Sequence, residues 1–352
     1  MPPRAPTSEQ HTRLLAVIGL VALLGGCSSV ADDLEDAEGA DSGAADGTDG
    51  GLSEGDGDGA PPPGTEPPEP GQTTGDDDDN DDGGGAGPMV KSSGGACPDS
   101  WPAAWLFCED FEELTDPVKA FSEYASADGA FVIDRPLGAM RADYREGEEE
   151  AGWVLVAFGD SPIDHGGTTY APQEHFEEIY WRVNVLHQPG WPDVGPGWLS
   201  RATAFASDGW AEALVGHVRS HGKETTLEAA ALTCVRDELV ECDVYNDQTA
   251  FEPLEPVAGS TKVASSQRAG QWQCIEGHIK LNTLAAQDGV FEFWVDDHLE
   301  NARTDLDWRG KWDGYGLNAI TLHNFWPGGA PGDVSRWMDD IVVSTERIGC
   351  DL

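Results

Sequence analysis

Past residue 96 the chain is punctuated by short runs in which apolar and polar residues alternate. Ile275, Ile279 and Leu281 alternate with Glu276, His278 and Lys280; Phe291, Phe293 and Val295 alternate with Glu292 and Trp294; Ile320 and Leu322 alternate with Thr321 and His323. A period of two puts every second side chain on one face of an extended chain, so each run predicts a β-strand with a buried face. Turn formers bound the runs: Asp288-Gly289 and Asp296-Asp297 bracket the Phe291 strand. No long apolar stripe at helical spacing occurs. The pattern predicts an all-β domain over residues 96–352, a sandwich or jelly roll with strands spaced by roughly 8–12 residues.

The first 95 residues follow a different pattern. Leu14 to Gly26 is a single apolar run of 13 residues preceded by Arg4 and Arg13, too short to span a bilayer and of the size of a signal-peptide apolar region. It ends at Cys27, and Leu24-Gly25-Gly26-Cys27 resembles the lipobox of bacterial lipoproteins. That resemblance implies lipidation of Cys27, which would become the mature N-terminus and hold an exported protein at a membrane of the cell envelope or at the cell surface. The alternative is an ordinary cleaved signal peptide with an incidental cysteine. From residue 28 to 95 the chain is dominated by Gly, Asp, Glu, Pro, Ser, Thr and Ala, with PPPGTEPPEP in its middle and DDDDNDD near its end. Such a segment has too little apolar surface to offset the entropy of ordering, and its like charges extend it. A disordered tether is expected, and the Asp76–Asp82 run is read as part of it.

Charge sharpens this division. Of 65 acidic and 20 basic residues in the 352-residue chain, the spacer up to Val90 holds 19 acidic and no basic ones, leaving a net −27 on residues 91–352. A surface of that sign excludes nucleic acid as a partner, since phosphate contacts need Lys and Arg. The single apolar run excludes a multi-pass membrane protein, and all 13 Trp lie from Trp101 onward, where a core can form. Seven cysteines become six once Cys27 is set aside, an even number suited to disulfides in an exported chain. The expected pairs are Cys97–Cys108 and Cys234–Cys242, which close short loops, and Cys274–Cys350, which ties the end of the domain to its body. No Cys-x-x-Cys or Cys/His cluster points to zinc or redox chemistry.

Five segments together resemble a known fold family. CEDFEEL from Cys108, EEIYWRVNVLHQPGW from Glu177, LSRATAF with ALVGHV between Leu199 and Val218, WQCIEGHIKLNT with DGVFEFWVDDHL between Trp272 and Leu299, and WMDDIVVSTERIG from Trp337 are similar to the concanavalin A-like jelly roll of polysaccharide lyases of the glucuronan and alginate type and their lyase-like relatives. The resemblance covers residues 105–349 in order. It implies a β-sandwich and a polysaccharide ligand, although one fold hosts lectins, hydrolases and lyases alike. At Trp198 the chain departs from relatives that carry a Lys there.

Elimination on a uronate needs a group to neutralise the carboxylate, a base for the C5 proton and an acid for the leaving oxygen. Tyr180, Arg182 and Asn184 share one face of their strand, and His217 and Arg219 share a face of theirs. Arg182 is the candidate neutraliser, His217 the candidate base and Tyr180 the candidate proton donor, with Asn184 and Arg219 as ligand contacts. All five would equally serve as the polar cover of a sheet. Trp191, Trp198, Trp210, Trp308, Trp312 and Trp326 fall in or beside Gly/Pro-rich loops, where indoles stack on sugar faces, with Trp198, Trp210 and Trp326 the leading platforms and His323, Asn324 and Asn318 as hydroxyl partners; Trp101, Trp153, Trp181, Trp272 and Trp294 read as core. Asp110 and Glu112 near the first strand and Asp339 and Asp340 near the last offer hard oxygen ligands for a structural Ca²⁺, or edge charges that discourage sheet-to-sheet pairing. Within residues 96–352 neither a G-x-S-x-G elbow nor an E-x-D-x-x-E strand is present.

These features lead first to an anchored lipoprotein whose jelly roll binds polysaccharide with little or no catalysis. A polyuronate lyase is the alternative, and an adhesion or structural module with a protein partner the second alternative. The net charge orders the first two, because a polyanion is repelled by a domain of −27 unless a local basic groove receives it.

Overall fold

The computed structural model describes residues 97–350; the apolar run, Cys27 and the whole acidic spacer lie outside them. Among the described residues nineteen strands form, numbered here in chain order, and no helix is long and apolar enough to cross a membrane. One 3₁₀ turn, Pro117–Lys119, starts where Asp116 Oδ1 accepts the Val118 N–H at 3.2 Å, a short polar cap before a proline.

Two large sheets face each other. The first holds eight strands: β17 (His298–Leu306), β16 (Gly289–Val295), β15 (Trp272–Lys280), β7 (Glu178–His187), β19 (Val334–Ser344), β4 (Ala139–Tyr144) and β3 (Phe131–Asp134) in that order, with β1 (Trp105–Glu109) also paired to β19. The second holds nine: β13 (Glu252–Pro253), β10 (Leu227–Thr233), β9 (Glu212–Ser220), β8 (Trp198–Phe205), β18 (Ala319–Phe325), β5 (Glu150–Phe158) and β2 (Glu123–Ala125), with β14 (Val257–Ala258) on β10 and β6 (Thr169–Tyr170) on β5. A small ribbon joins β11 (Val235–Arg236) to β12 (Leu239–Val240). Every ladder is antiparallel except β5 with β6, and the whole is the all-β sandwich that the alternation predicts.

The core lies between the sheets. Ile179, Trp181, Val183 and Val185 of β7 face Leu214 and Val218 of β9, Ala202 and Ala204 of β8, and Ile320 and Leu322 of β18. Two glycines make room for large side chains in this core, Gly277 within its own sheet and Gly216 across the sheets. A β-carbon at Gly277 of β15 would lie 2.3 Å from Trp181 Cζ2, and one at Gly216 of β9 would lie 2.2 Å from Ile279 Cδ1. The Trp181 indole, seated on Gly277, donates to Ser200 Oγ of the other sheet at 2.9 Å. Several strands are buried on both faces, β5, β8 and β19 among them, which blurs their alternation in sequence.

The three disulfides are Cys97–Cys108, Cys234–Cys242 and Cys274–Cys350, the pairs expected from spacing. The last spans 76 residues and fixes the chain end to β15. Tryptophan placement departs from expectation. Trp191, Trp308 and Trp326 are buried and Trp101 is 39% exposed, because Trp326 stacks on Trp191 at 5.6 Å and meets Tyr144 edge-on at 5.4 Å. Trp326 is therefore a core residue and not a sugar platform. Asn324 faces inward too, donating to Gly152 O at 3.1 Å and accepting from Arg336, so it cannot reach a ligand.

Gly277→Ala should lower stability by at least about 1–3 kcal/mol, the usual cost of overpacking a tight core. A urea midpoint that falls at constant slope would show it; an unchanged midpoint would mean that Trp181 does not sit on this glycine.

Candidate functional site

The sequence-derived catalytic set is divided by the sandwich. Because Trp181, Val183 and Val185 point inward, Tyr180, Arg182 and Asn184 occupy the outer face of the eight-stranded sheet. Gly216 and Val218 point inward, so His217 and Arg219 occupy the outer face of the nine-stranded sheet. Paired sheets lie about 10 Å apart, and Arg182 cannot serve a substrate that His217 touches. Arg182 is also committed elsewhere. Its guanidinium donates to Gly349 O at 3.1 Å and to Asp340 O at 3.4 Å, and Asn184 donates to Asp340 Oδ2 at 2.7 Å. These residues hold the last strand and the tail that follows it. Tyr180 stacks on His278 at 4.0 Å, and burial, together with Glu178 and Glu292, pushes its phenol up to about 12, which makes it a weaker acid and a poorer proton donor at neutral pH.

The outer face of the nine-stranded sheet gathers the remaining candidates. Ladder register places Arg201 of β8 between His217 of β9 and Thr321 of β18, while Trp198 lies between Arg219 and Phe325. The Trp198 ring lies 5.0 Å from His217, 5.5 Å from His323 and 4.9 Å from Phe325. Further along the face, Trp210 meets Phe205 edge-on at 5.3 Å and Tyr245 at 6.3 Å. Trp198, Trp210, Tyr245, Phe325 and Arg219 are half-buried and form the accessible rim; His217, His323, Thr321 and Trp153 line the floor.

Charge on this face is internally balanced. Arg201, 1% exposed, forms an ion pair with the fully buried Glu212, donates from Nε to Thr203 Oγ1 at 3.2 Å and from Nη1 to Tyr245 Oη at 3.3 Å, and lies 4.9 Å above the Tyr245 ring. Arg219 is held by Glu228 at 2.8 Å, which also takes His221 at 2.6 Å. Burial holds the His217 imidazole well below its ordinary value, reinforced by Arg201, Arg219 and His323; burial does the same to His323, reinforced by Arg201 and Arg336. Both rings are neutral at physiological pH. His217 Nδ1, His323 Nε2 and Trp153 Nε1 are buried without a hydrogen-bond partner, three polar atoms on one floor in a fold where such atoms are normally satisfied.

One end of the face carries a relay. Glu123 Oε1 lies 3.1 Å from His165 Nδ1, and His165 Nε2 lies 3.4 Å from Ser161 Oγ. This order of acid, imidazole and hydroxyl is that of a nucleophile set, but Ser161 is followed by Pro162, which has no N–H for an oxyanion, and its Oγ already accepts from Ile163 N at 3.3 Å. With His165 edge-on to Trp210 at 5.3 Å, the relay fixes the loop that seats Trp210.

Metal ligands do not assemble where the sequence placed them. Asp110 accepts from Glu112 N at 3.4 Å, Asp339 from Asp340 N at 2.8 Å, and Asp340 from Asn184, and the four carboxylates do not converge on one ligand sphere. Among the described residues only His175, Glu177 and Asp313 bring ligand atoms within 4.8 Å of one another. There Arg309 already reaches Glu177 at 2.6 Å and Asp313 at 3.6 Å, while His175 binds Asp160 at 2.8 Å, so a guanidinium stands where an ion would.

Arg201, Glu212 and Tyr245 were not singled out from sequence, and Trp153 was read there as core. Arg201 and Thr203 alternate with Ser200, Ala202 and Ala204, a signal that their face is polar; Tyr245, in a loop beyond the Cys234–Cys242 disulfide, has no such signature.

No protein-family model matches the chain, and no curated protein matches it. Among solved structures, it is similar to an alginate lyase from Aplysia kurodai at 12% identity and TM-score 0.45, covering 69% of this chain and 100% of that one. It is similar to an endo-β-1,4-glucuronan lyase from Trichoderma reesei at 12% identity and TM-score 0.45, covering 69% and 96%. A third, the ligand-binding domain of botulinum neurotoxin serotype D in complex with N-acetylneuraminic acid, matches at 7% identity and TM-score 0.39, covering 70% and 48%. The likeness is one of sandwich architecture and transfers no site residue.

The neutral histidines set a pH dependence. A folded-state value below the unfolded 6.5 means that the unfolded chain binds the extra proton, so stability is complete above pH 6.5 and is lost as pH falls through it. Between pH 7.5 and 5.5, His217 and His323 should each remove up to about 1.4 kcal/mol, read as a fall in urea midpoint, and the buried His187, held down at about 3, adds a like loss. The double variant His217→Asn, His323→Asn should therefore reduce the slope in that window without abolishing it; an unaltered slope would place the lost stability elsewhere.

Proposed function

We propose that the outer face of the nine-stranded sheet binds a polysaccharide, and that the protein acts as a binding lipoprotein held at a membrane through Cys27, with the acidic segment as its tether. The observation that carries the binding reading is the combination of three unpartnered buried polar atoms, at Trp153, His217 and His323, with the half-buried rings of Trp198, Phe325, Trp210 and Tyr245 beside them. A pyranose offers both complements: hydroxyls for the polar atoms and an apolar C–H face for the rings. Binding is favoured over cleavage because the central cation is spent on Glu212 and cannot also neutralise a uronate without abandoning a buried carboxylate.

A second reading has one observation in its support. Arg201, the neutral His217 and the Tyr245 hydroxyl lie in one patch, which is the cation, base and acid set of β-elimination. The two readings differ in outcome. On incubation with alginate or glucuronan, a lyase produces an unsaturated uronate seen as rising ultraviolet absorbance, and a binder does not.

Titration calorimetry of the chain against a panel of neutral and uronic polysaccharides should find a ligand whose affinity falls roughly tenfold, about 1.4 kcal/mol, in Trp198→Ala. Tyr180→Phe, on the opposite outer face, should bind as the unaltered chain does. If no polysaccharide binds the folded protein, or if both variants lose affinity equally, this face is not the sugar site.

A further inference from the structure

The sandwich interior contains a guanidinium without an acid. Arg336 of β19 is 1% exposed; its Nη2 donates to Asn324 Oδ1 at 2.8 Å, His323 O at 2.7 Å and Trp198 O at 3.2 Å, and its Nε donates to Asn324 Oδ1 at 3.2 Å. All of these acceptors are neutral. Of the other three arginines buried as deeply, Arg201 is paired with Glu212 and Arg309 with Glu177, while Arg182 lies in the field of Asp340, Glu276, Asp297 and Asp339. Arginine does not shed its proton inside proteins, and an uncompensated buried charge is strongly destabilising.

Arg336 borders a cavity of about 10 Å³ between the sheets, lined also by His187, Ser220, Val185, Leu199 and Val263, large enough for one water-sized occupant. His187, 2% exposed, has neither ring nitrogen hydrogen-bonded, and Ser220, 4% exposed, has an unpartnered hydroxyl. Three buried polar side chains from β7, β9 and β19 therefore meet at one small space, and two of them have no other partner.

We infer that this cavity is a binding site for a small monovalent anion of the chloride class. Water would satisfy Ser220 and one His187 nitrogen but would leave the guanidinium charge uncompensated. An anion answers both needs, accepting from the Ser220 hydroxyl, from the one N–H of a neutral His187, and from the Nη1 group of Arg336, which none of the three oxygens above engages. No carboxylate competes: the charge acting on His187 is that of Arg336 alone, and its effect adds to burial in holding the imidazole down at about 3. The bound anion would brace Arg336 against Trp198 O and His323 O, the backbone behind the proposed binding face, although the inference stands on the cavity and is independent of what that face binds.

The test compares thermal unfolding of the full chain in sodium chloride, sodium bromide and sodium gluconate at equal ionic strength. The midpoint should rise saturably with chloride and bromide over gluconate, as expected for a ligand that binds only the folded state, and Arg336→Met should abolish the difference. Should that variant not fold, bromide-soaked crystals of the unaltered chain should show an anomalous peak between His187, Ser220 and Arg336. Equal midpoints in all three salts, or a cavity holding water with no bromide peak, would overturn the inference.

Discussion

The seat of Trp181 on Gly277 is the contact on which the rest of the structure depends. Both residues belong to the eight-stranded sheet, yet the indole N–H is spent on Ser200 of the opposite one. That bond fixes which side of β8 faces inward. Since successive strand residues alternate in direction, fixing Ser200 inward puts Arg201 outward, and through the ladders His217 and Thr321 with it. The candidate face is thus set by a core contact on the other side of its own strand. The glycine matters because no side chain could occupy its place without lifting the indole.

Electrostatics impose the second constraint. In a domain with 45 acidic and 18 basic residues beyond residue 90, deeply buried cations are few, and all but Arg336 are matched to groups of their own. Arg201 is neutralised by Glu212, Arg309 by Glu177, and Arg182 holds two carbonyls of the chain end. The exposed rim of the candidate face keeps Arg219, itself held by Glu228. A face of this kind presents aromatic rings and neutral imidazoles instead of an open row of cations. It suits hydroxyl-rich ligands better than strongly charged ones, in accord with the acidity of the whole domain.

Much of the fold was legible in the sequence, for a physical reason. Alternation at Ile275–Leu281, Phe291–Val295 and Ile320–His323 reports burial of one face, and burial of one face is what makes a strand. The faces of β7 and β9 were also readable, since Arg182 and His217 each fall out of phase with their apolar neighbours. What alternation cannot report is which outer face belongs to which sheet. Arg182 and His217 look equivalent in sequence and lie on opposite surfaces of the sandwich. Tryptophans in Gly/Pro-rich loops misled for a related reason: Trp191 and Trp326 stack on one another across 135 residues of chain, and no local pattern encodes a partner so remote.

By itself, then, the sequence determined the all-β class and the contrast between an acidic spacer and a Trp-bearing region, because composition and period are local properties that the chain carries wherever it goes; it favoured the three cysteine pairs without deciding among the possible connectivities, since Cys274 and Cys350 meet across 76 residues. The tertiary structure alone decided which polar residues share a surface. It brought Trp198, Arg201, His217 and His323 together, withdrew Arg182, Asn184, Asn324 and Trp326 into structural duty, and left Arg336 in the interior without an acid. Those outcomes depend on strand order and sheet pairing, which arise from contacts between residues far apart in the chain and are written in no single segment of it.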